Sequence, residues 1–92
     1  MSQRVSEFSG ERLTAQWRVE VRLFCTGYGW RGYAPGNEFQ ADAMTKEDAR
    51  ARIKYMVLDY VVQTKRQGGK PSFSEPGTEA GPSEEVFYMN IT

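Results

Sequence analysis

The chain has 92 residues, with 12 basic and 12 acidic side chains and therefore no net charge. This length suits one small domain, and a neutral molecule has no overall attraction to nucleic acid or to a membrane surface. A single cysteine and the lack of histidine exclude a disulfide within the chain and a Cys/His zinc site. We therefore expect one folded domain that holds no metal and no cofactor.

The N-terminal segment is polar and contains two isolated hydrophobic residues, Val5 and Phe8. It lacks the apolar core of a secretory signal, and no run in the chain approaches the roughly 18 apolar residues that span a bilayer. A free cysteine fits a reducing compartment. The sequence therefore predicts a cytoplasmic protein in which residues 1–12 form a flexible arm and residues 13–92 form a single α+β domain.

Residues 13–25 alternate between apolar and polar side chains, and this alternation predicts a half-buried strand. The apolar face consists of Leu13, Ala15, Trp17, Val19, Val21, Leu23 and Cys25. A lone thiol in such a pattern is typical of a small buried hydrophobic side chain, so we expect Cys25 to be buried. On the other face we expect Arg18, Glu20 and Arg22 to form a solvated ladder.

Residues 27–37 hold four glycines and one proline, a composition typical of turns, and predict a long loop between two strands. Gly27, Gly29 and Gly32 match the spacing of a dinucleotide-binding motif. That site needs a helix to begin at once, with its N-terminus aimed at the pyrophosphate. Pro35 follows here instead, so the glycines indicate a hairpin connection.

The same loop carries three aromatic residues and an arginine, namely Tyr28, Trp30, Arg31 and Tyr33. The run that begins at Arg31 matches the opening of an RNA-recognition signature, but Pro35 interrupts the strand that this signature requires. Flat rings and a planar cation can stack on unpaired bases, or they can form the hot spot of a protein interface. The third interpretation is that the rings fold back on the edge of the sheet.

The helix at residues 45–66 is the element around which the predicted fold is organised. Thr45 is the predicted N-cap, with Asp48 in the capping-box position and Met44 packing against Ala49 as a hydrophobic staple. Residues at spacings of three and four share one face of a helix. The buried face is predicted to consist of Ala49, Ile53, Met56, Val57, Tyr60 and Val61.

Basic side chains give the helix a second distinctive face. Lys46, Arg50 and Lys54 recur every four residues and therefore lie on one side. Such a face is typical of a solvated surface, and it can also contact phosphate groups or an acidic protein. Arg50 and Lys54 are accordingly candidate binding residues.

Residues 67–83 carry three of the four prolines and cannot form regular structure, which predicts a binding loop or a mobile connection. Residues 38–43 and residues 85–91 alternate and predict the second and last strands. The expected architecture is β-β-α-β, with a three-stranded, mainly antiparallel sheet in the order 2-1-3. One long helix covers one face of this sheet, and the other face stays largely open.

The junction from Phe39 to Ala49 ends a strand in alternating alanines and starts a helix at Thr45. This unit resembles one found in small phage and mobile-element proteins, including some anti-CRISPR proteins. The resemblance implies a compact protein without catalytic residues that blocks a host complex by binding to it.

The sequence and this resemblance together predict a non-catalytic, phage-type inhibitor. It would dock on a bacterial CRISPR surveillance complex, as a monomer or weak dimer, and sterically block access of nucleic acid. The alternative is a small protein that binds RNA or single-stranded DNA through the aromatic loop. The predicted partner-binding residues are Tyr28, Trp30, Arg31, Tyr33, Arg50 and Lys54.

Overall fold

The computed structural model describes residues 17–91. Within this range the elements are β1 (Trp17–Cys25), β2 (Trp30–Ala34), β3 (Phe39–Ala43), α1 (Lys46–Arg66) and β4 (Glu85–Ile91). The predicted arm at residues 1–12 and residues 13–16 of the predicted first strand lie outside the described residues.

The four described strands form one antiparallel sheet in the order β3-β2-β1-β4. The α+β class is confirmed, and β4 lies antiparallel beside β1 as expected. The prediction of three strands in the order 2-1-3 is wrong, because the predicted loop contains β2, which separates β1 from β3. Tight turns flank it, closed by hydrogen bonds from the Thr26 amide to the Gly29 carbonyl (2.8 Å) and from the Asn37 amide to the Ala34 carbonyl (3.0 Å).

The register places Gly32 between Leu23 of β1 and Ala41 of β3, and these three residues face α1. A Cβ atom added at Gly32 would lie 3.0 Å from Leu23 Cδ2 and 3.2 Å from Ile53 Cγ2. Both distances are shorter than ordinary van der Waals contact. Gly32 therefore lets the helix pack closely over β2, and the neighbouring Arg31 and Tyr33 point to the opposite face.

The helix begins where the sequence predicts. The Thr45 hydroxyl accepts a hydrogen bond from the Asp48 amide at 3.1 Å, which satisfies one of the unpaired amides of the first turn. The fully or nearly buried helix residues are Ala49, Ile53, Val57 and Val61. Burial of each large aliphatic side chain contributes about 1.5–3 kcal/mol, so this stripe holds α1 on the sheet.

Three apolar side chains near the helix differ from their predicted positions. Met56 and Tyr60 lie at the border of the buried stripe and are partly exposed. Met44 is 79% exposed and does not form the predicted staple. Cys25 is also exposed, contrary to prediction, because it is the last residue of β1. Alternation identifies the face of a strand but not the point at which the covering helix ends.

We call residues 67–84, which connect α1 to β4, the strap. Near the start of the strap, Phe73 packs in an aromatic cluster with Trp17, Phe39 and Tyr60. The centroids of neighbouring rings in this cluster are 5.4–6.3 Å apart. The strap is then fastened to the β2–β3 turn, because the Ser74 amide donates to Asn37 Oδ1 at 2.8 Å and Asn37 Nδ2 donates to the Ser74 carbonyl at 3.1 Å.

Further along, the strap covers part of the sheet face opposite α1. The Arg22 guanidinium donates to Thr78 of the strap and, at 2.6 Å, to Glu20. The Tyr33 hydroxyl donates to the Glu84 carboxylate. Arg22 is only 2% exposed as a result. The predictions of a solvated ladder and of an uncovered face are therefore wrong at this position.

Candidate functional site

The structure separates the six predicted site residues into three groups. Tyr28, Trp30 and Arg31 lie at the β1–β2 turn and the start of β2. Tyr33 lies under the strap, on the face away from α1. The remaining two lie on the side of α1 that faces β4. The first group and the last pair therefore line two different grooves, and Tyr33 lines neither.

That first group lines a groove of about 410 Å³ at the tip of the sheet. Its other main side chains are Asp42, Met44 and Arg52, and we call these six residues the tip groove. A Cβ atom added at Gly29 would lie 2.3 Å from the Ala43 carbonyl oxygen. Glycine at this position therefore allows the β1–β2 turn to lie directly against the junction between β3 and α1.

Asp42 fixes both arginines of the tip groove. Its carboxylate accepts two hydrogen bonds from Arg31, at 2.6 Å from Nε and 3.1 Å from Nη2. Its backbone carbonyl accepts a third from Arg52 Nη1 at 2.9 Å. The hydrogen bonds from Arg31 hold the pKa of the Asp42 carboxyl below its ordinary value. An exposed ion pair adds little stability, so its main effect here is to orient the Arg31 guanidinium.

The apolar part of the tip groove is exposed. Tyr28 is 93% exposed at the turn, and Met44 projects beside it. Trp30 is half-buried, with the Lys46 ammonium 5.5 Å from its ring centroid. Glu85 holds that ammonium at 2.8 Å. Aromatic, methionine and arginine side chains are enriched at the centres of protein interfaces, and the tip groove combines all three.

Three members of the tip groove were not predicted from the sequence. Asp42 joins it through the register of β2 with β3, and Arg52 joins it through the position of α1 on the sheet. Neither the register nor the helix position can be inferred from the local sequence. Met44 was interpreted as a packing residue. A methionine directly before the predicted helix cap was the one signal in the sequence that could have drawn attention to it.

Tyr33 has a different environment. Its ring packs edge-to-face on Phe24, with centroids 5.9 Å apart, and its hydroxyl is held by Glu84. Burial, followed by the hydrogen bond to Glu84, raises the pKa of the Tyr33 hydroxyl. Its observed role is to anchor the strap.

Arg50 and Lys54 line a separate groove of about 340 Å³ between α1 and β4. The Arg50 guanidinium lies 4.2 Å from the centroid of the Phe87 ring. Arg52, by contrast, reaches β3 from the other side of the helix. Arg50 and Lys54 therefore lie on the other side of α1 from Arg52, whereas Lys46, the first residue of the basic face, lies over Trp30 of the tip groove.

Among residues 17–91, no three acidic or cysteine side chains lie close enough together to hold a metal ion. Over the same range, no helix is long and apolar enough to cross a bilayer. The chain matches no protein-family model, and comparisons with curated proteins and with solved structures also found no match.

Proposed function

We propose that this chain is a non-catalytic binding protein that docks on another protein through its tip groove. The observation that carries the proposal is the exposure of Tyr28 and Met44 beside an arginine that Asp42 holds in place. A few aromatic and arginine anchors supply most of the binding energy at protein interfaces. An arginine that is already ordered loses less conformational entropy on binding.

A protein partner fits the tip groove better than a nucleic acid does. Tyr28 and Trp30 could stack on bases, but phosphate binding needs cations that are free to approach the backbone. The Asp42 carboxylate occupies Arg31 on two of its nitrogens and repels phosphate. The paired Arg31 guanidinium and Asp42 carboxylate present both hydrogen-bond donors and acceptors. This pair therefore suits a protein partner that also offers both.

The more specific form of the proposal is a phage-type inhibitor of a bacterial CRISPR surveillance complex. Its support is the resemblance at the strand-to-helix junction and the small size of the chain. In this mechanism the tip groove covers a surface that the complex needs for nucleic acid, so that inhibition is steric and requires no chemistry on either partner.

The test is capture of partners from a bacterial lysate on the immobilised chain, with and without nuclease. A Tyr28→Ala/Met44→Ala variant removes both exposed anchors. A Tyr88→Ala variant is the matched control, because Tyr88 is another exposed tyrosine but lies on β4. We expect nuclease-resistant capture of a protein by the wild type and by the control, and at least about tenfold weaker capture by the double variant.

Two results would contradict the proposal. Equal capture by the wild type and the double variant would exclude the tip groove as the docking site. Capture that disappears with nuclease and falls steeply with salt would identify a nucleic-acid-binding protein instead. Purified surveillance complexes, presented in the same format, test the more specific form directly.

A further inference from the structure

The helix α1 carries a second apolar stripe on the side turned away from the sheet. It consists of Ala51, Tyr55, Leu58 and Val62. Tyr55 is 71% exposed, Leu58 47% and Val62 46%. The outer face of a helix that covers a sheet is normally polar. Neither the core of the fold nor the tip groove accounts for this stripe.

The spacing of the stripe indicates what kind of surface could cover it. Steps of four, three and four residues are those of the a and d positions of a heptad, the pattern of a helix that packs against another helix. From Ala51 to Val62 the stripe is about 17 Å long. A matching helix would need an apolar stripe of similar length.

The chain itself supplies such a helix. The steps of the stripe read the same from either end, so a two-fold axis at its middle relates it to a second copy running in the opposite direction. Ala51 then lies opposite Val62 of the second copy, and Tyr55 lies opposite Leu58 of the second copy. Each small residue therefore meets a β-branched residue, and the two largest side chains interlock at the centre.

The charges at the two ends of α1 select the antiparallel direction. The first turn carries Glu47 and Asp48, and the last turn carries Lys65 and Arg66. Under the same two-fold axis, the acidic first turn of each copy lies beside the basic last turn of the other. Parallel helices would instead place acid beside acid and base beside base, and flanking charges of this kind set the orientation of paired helices.

We propose that the protein forms an antiparallel homodimer through the outward stripe of α1. The two sheets lie on the outside of the helix pair. Each tip groove is near the start of its own helix, so the two grooves lie at opposite ends of the pair, about 30 Å apart along its axis. Both grooves stay accessible, and the dimer presents two docking sites instead of one, which strengthens binding to any partner with repeated sites.

The size of the stripe sets the expected strength of the dimer. Four apolar side chains per copy form a small patch compared with the roughly 1,200 Å² that stable protein interfaces bury in total. We therefore expect a reversible dimer with a dissociation constant of about 10–500 µM. The protein would be monomeric in dilute solution and would pair where its concentration is raised locally.

The test is sedimentation velocity from about 10 µM to about 1 mM, the range that brackets the expected constant. As the concentration rises, the sedimentation coefficient of the wild type should move from the value of a monomer towards that of a dimer. Leu58→Glu should weaken pairing more than about tenfold, because it buries a charge at the centre of the contact. Val86→Glu is the control, since Val86 is exposed on the opposite face of the sheet. A wild type that stays monomeric throughout, or a Leu58→Glu variant that pairs as the wild type does, overturns the proposal.

Charge reversal tests the direction of the helices, with circular dichroism to confirm that each variant is folded. Glu47→Lys/Asp48→Lys should weaken the antiparallel pair, because both ends then bring base beside base. Adding Lys65→Glu/Arg66→Glu should restore it. Two results would contradict the antiparallel arrangement. One is a Glu47→Lys/Asp48→Lys variant that pairs as strongly as the wild type, and the other is a variant with all four substitutions whose pairing does not recover. The Tyr28→Ala/Met44→Ala variant should pair normally, so this test and the capture test are independent.

Discussion

The close contact between α1 and the sheet depends on the missing side chain at Gly32. A Cβ atom there would lie 3.0 Å from Leu23 Cδ2 and 3.2 Å and 3.3 Å from two atoms of Ile53. Leu23 and Ile53 are both fully buried, so neither can move without disturbing further contacts. Gly32→Ala therefore forces a few tenths of an ångström of separation between the helix and β2.

The expected cost has two opposing parts. Overpacking a well-packed core costs about 1–3 kcal/mol, whereas replacing glycine by alanine gains about 0.4–1 kcal/mol by restricting the unfolded chain. We expect Gly32→Ala to lower the free energy of unfolding by about 1–2 kcal/mol. For a domain of this size the Tm should fall by roughly 4–8 °C for each kcal/mol.

Urea unfolding, followed by tryptophan fluorescence, measures this loss, with Gly77→Ala as the control. A Cβ atom at Gly77 meets nothing within 4 Å, so the control should be neutral or slightly stabilising. Ile53→Ala alone should cost about 2–5 kcal/mol. In the Ile53→Ala background, Gly32→Ala should cost about 1 kcal/mol less, because Ile53 Cγ2, one of the atoms that the new Cβ would meet, is gone. Equal stability of the Gly32 and Gly77 variants, or equal costs in both backgrounds, would refute the proposed packing.

Three further predictions concern the helix cap and the strap. Thr45→Ala should lower the free energy of unfolding, measured by urea unfolding, by about 1 kcal/mol, and Thr45→Ser should largely preserve it. A larger loss for Thr45→Ser than for Thr45→Ala would contradict the assignment of Thr45 as the helix cap. Arg22→Met removes the hydrogen bonds to Thr78, so amide exchange in the strap should accelerate by roughly tenfold or more while exchange in α1 stays unchanged. The hydrogen bond from Tyr33 is the main cause that holds the pKa of Glu84 below its ordinary value of 4.5. The stability that Glu84 contributes is therefore complete above that value and is lost as the pH falls through the depressed pKa. Glu84→Gln should make the unfolding free energy less dependent on pH below 4.5, and an unchanged acid profile would contradict this assignment.

The helix could be predicted from the sequence because its signals are local. The cap at Thr45, the acidic first turn, the basic last turn and the buried stripe all lie within the helix or next to it. Each acts over one or two turns, and together they define the same element. The last strand was found for the same reason, since Phe87, Met89 and Ile91 recur at every second position within it.

The strand β2 was missed because its inward side chains are small. Gly32 and Ala34 interrupt the apolar alternation that Trp30 begins, and the glycines around them indicate a loop. The physical reason for the small residues is the helix packed above them, which cannot be inferred before the sheet order is known. The pairing of Arg31 with Asp42 depends on that order and was missed with it.

The strap shows a second limit of local reasoning. Its prolines and glycines correctly exclude helix and strand, but they do not indicate where the chain goes. Its course depends on distant contacts, from Phe73 to the ring cluster, from Ser74 to Asn37 and from Arg22 to Thr78. Burial of Arg22 by these contacts overrides the alternation that places it in solvent.

Photo-crosslinking from the tip groove tests the proposed docking function most directly. A benzophenone amino acid in place of Tyr28 would be irradiated in a bacterial lysate both before and after nuclease treatment, and the same probe in place of Tyr88 is the control. We expect a discrete cross-linked protein from position 28 and none from position 88. Cross-links to nucleic acid alone before nuclease treatment, or the same products from both positions, would contradict a protein-docking site at the tip groove.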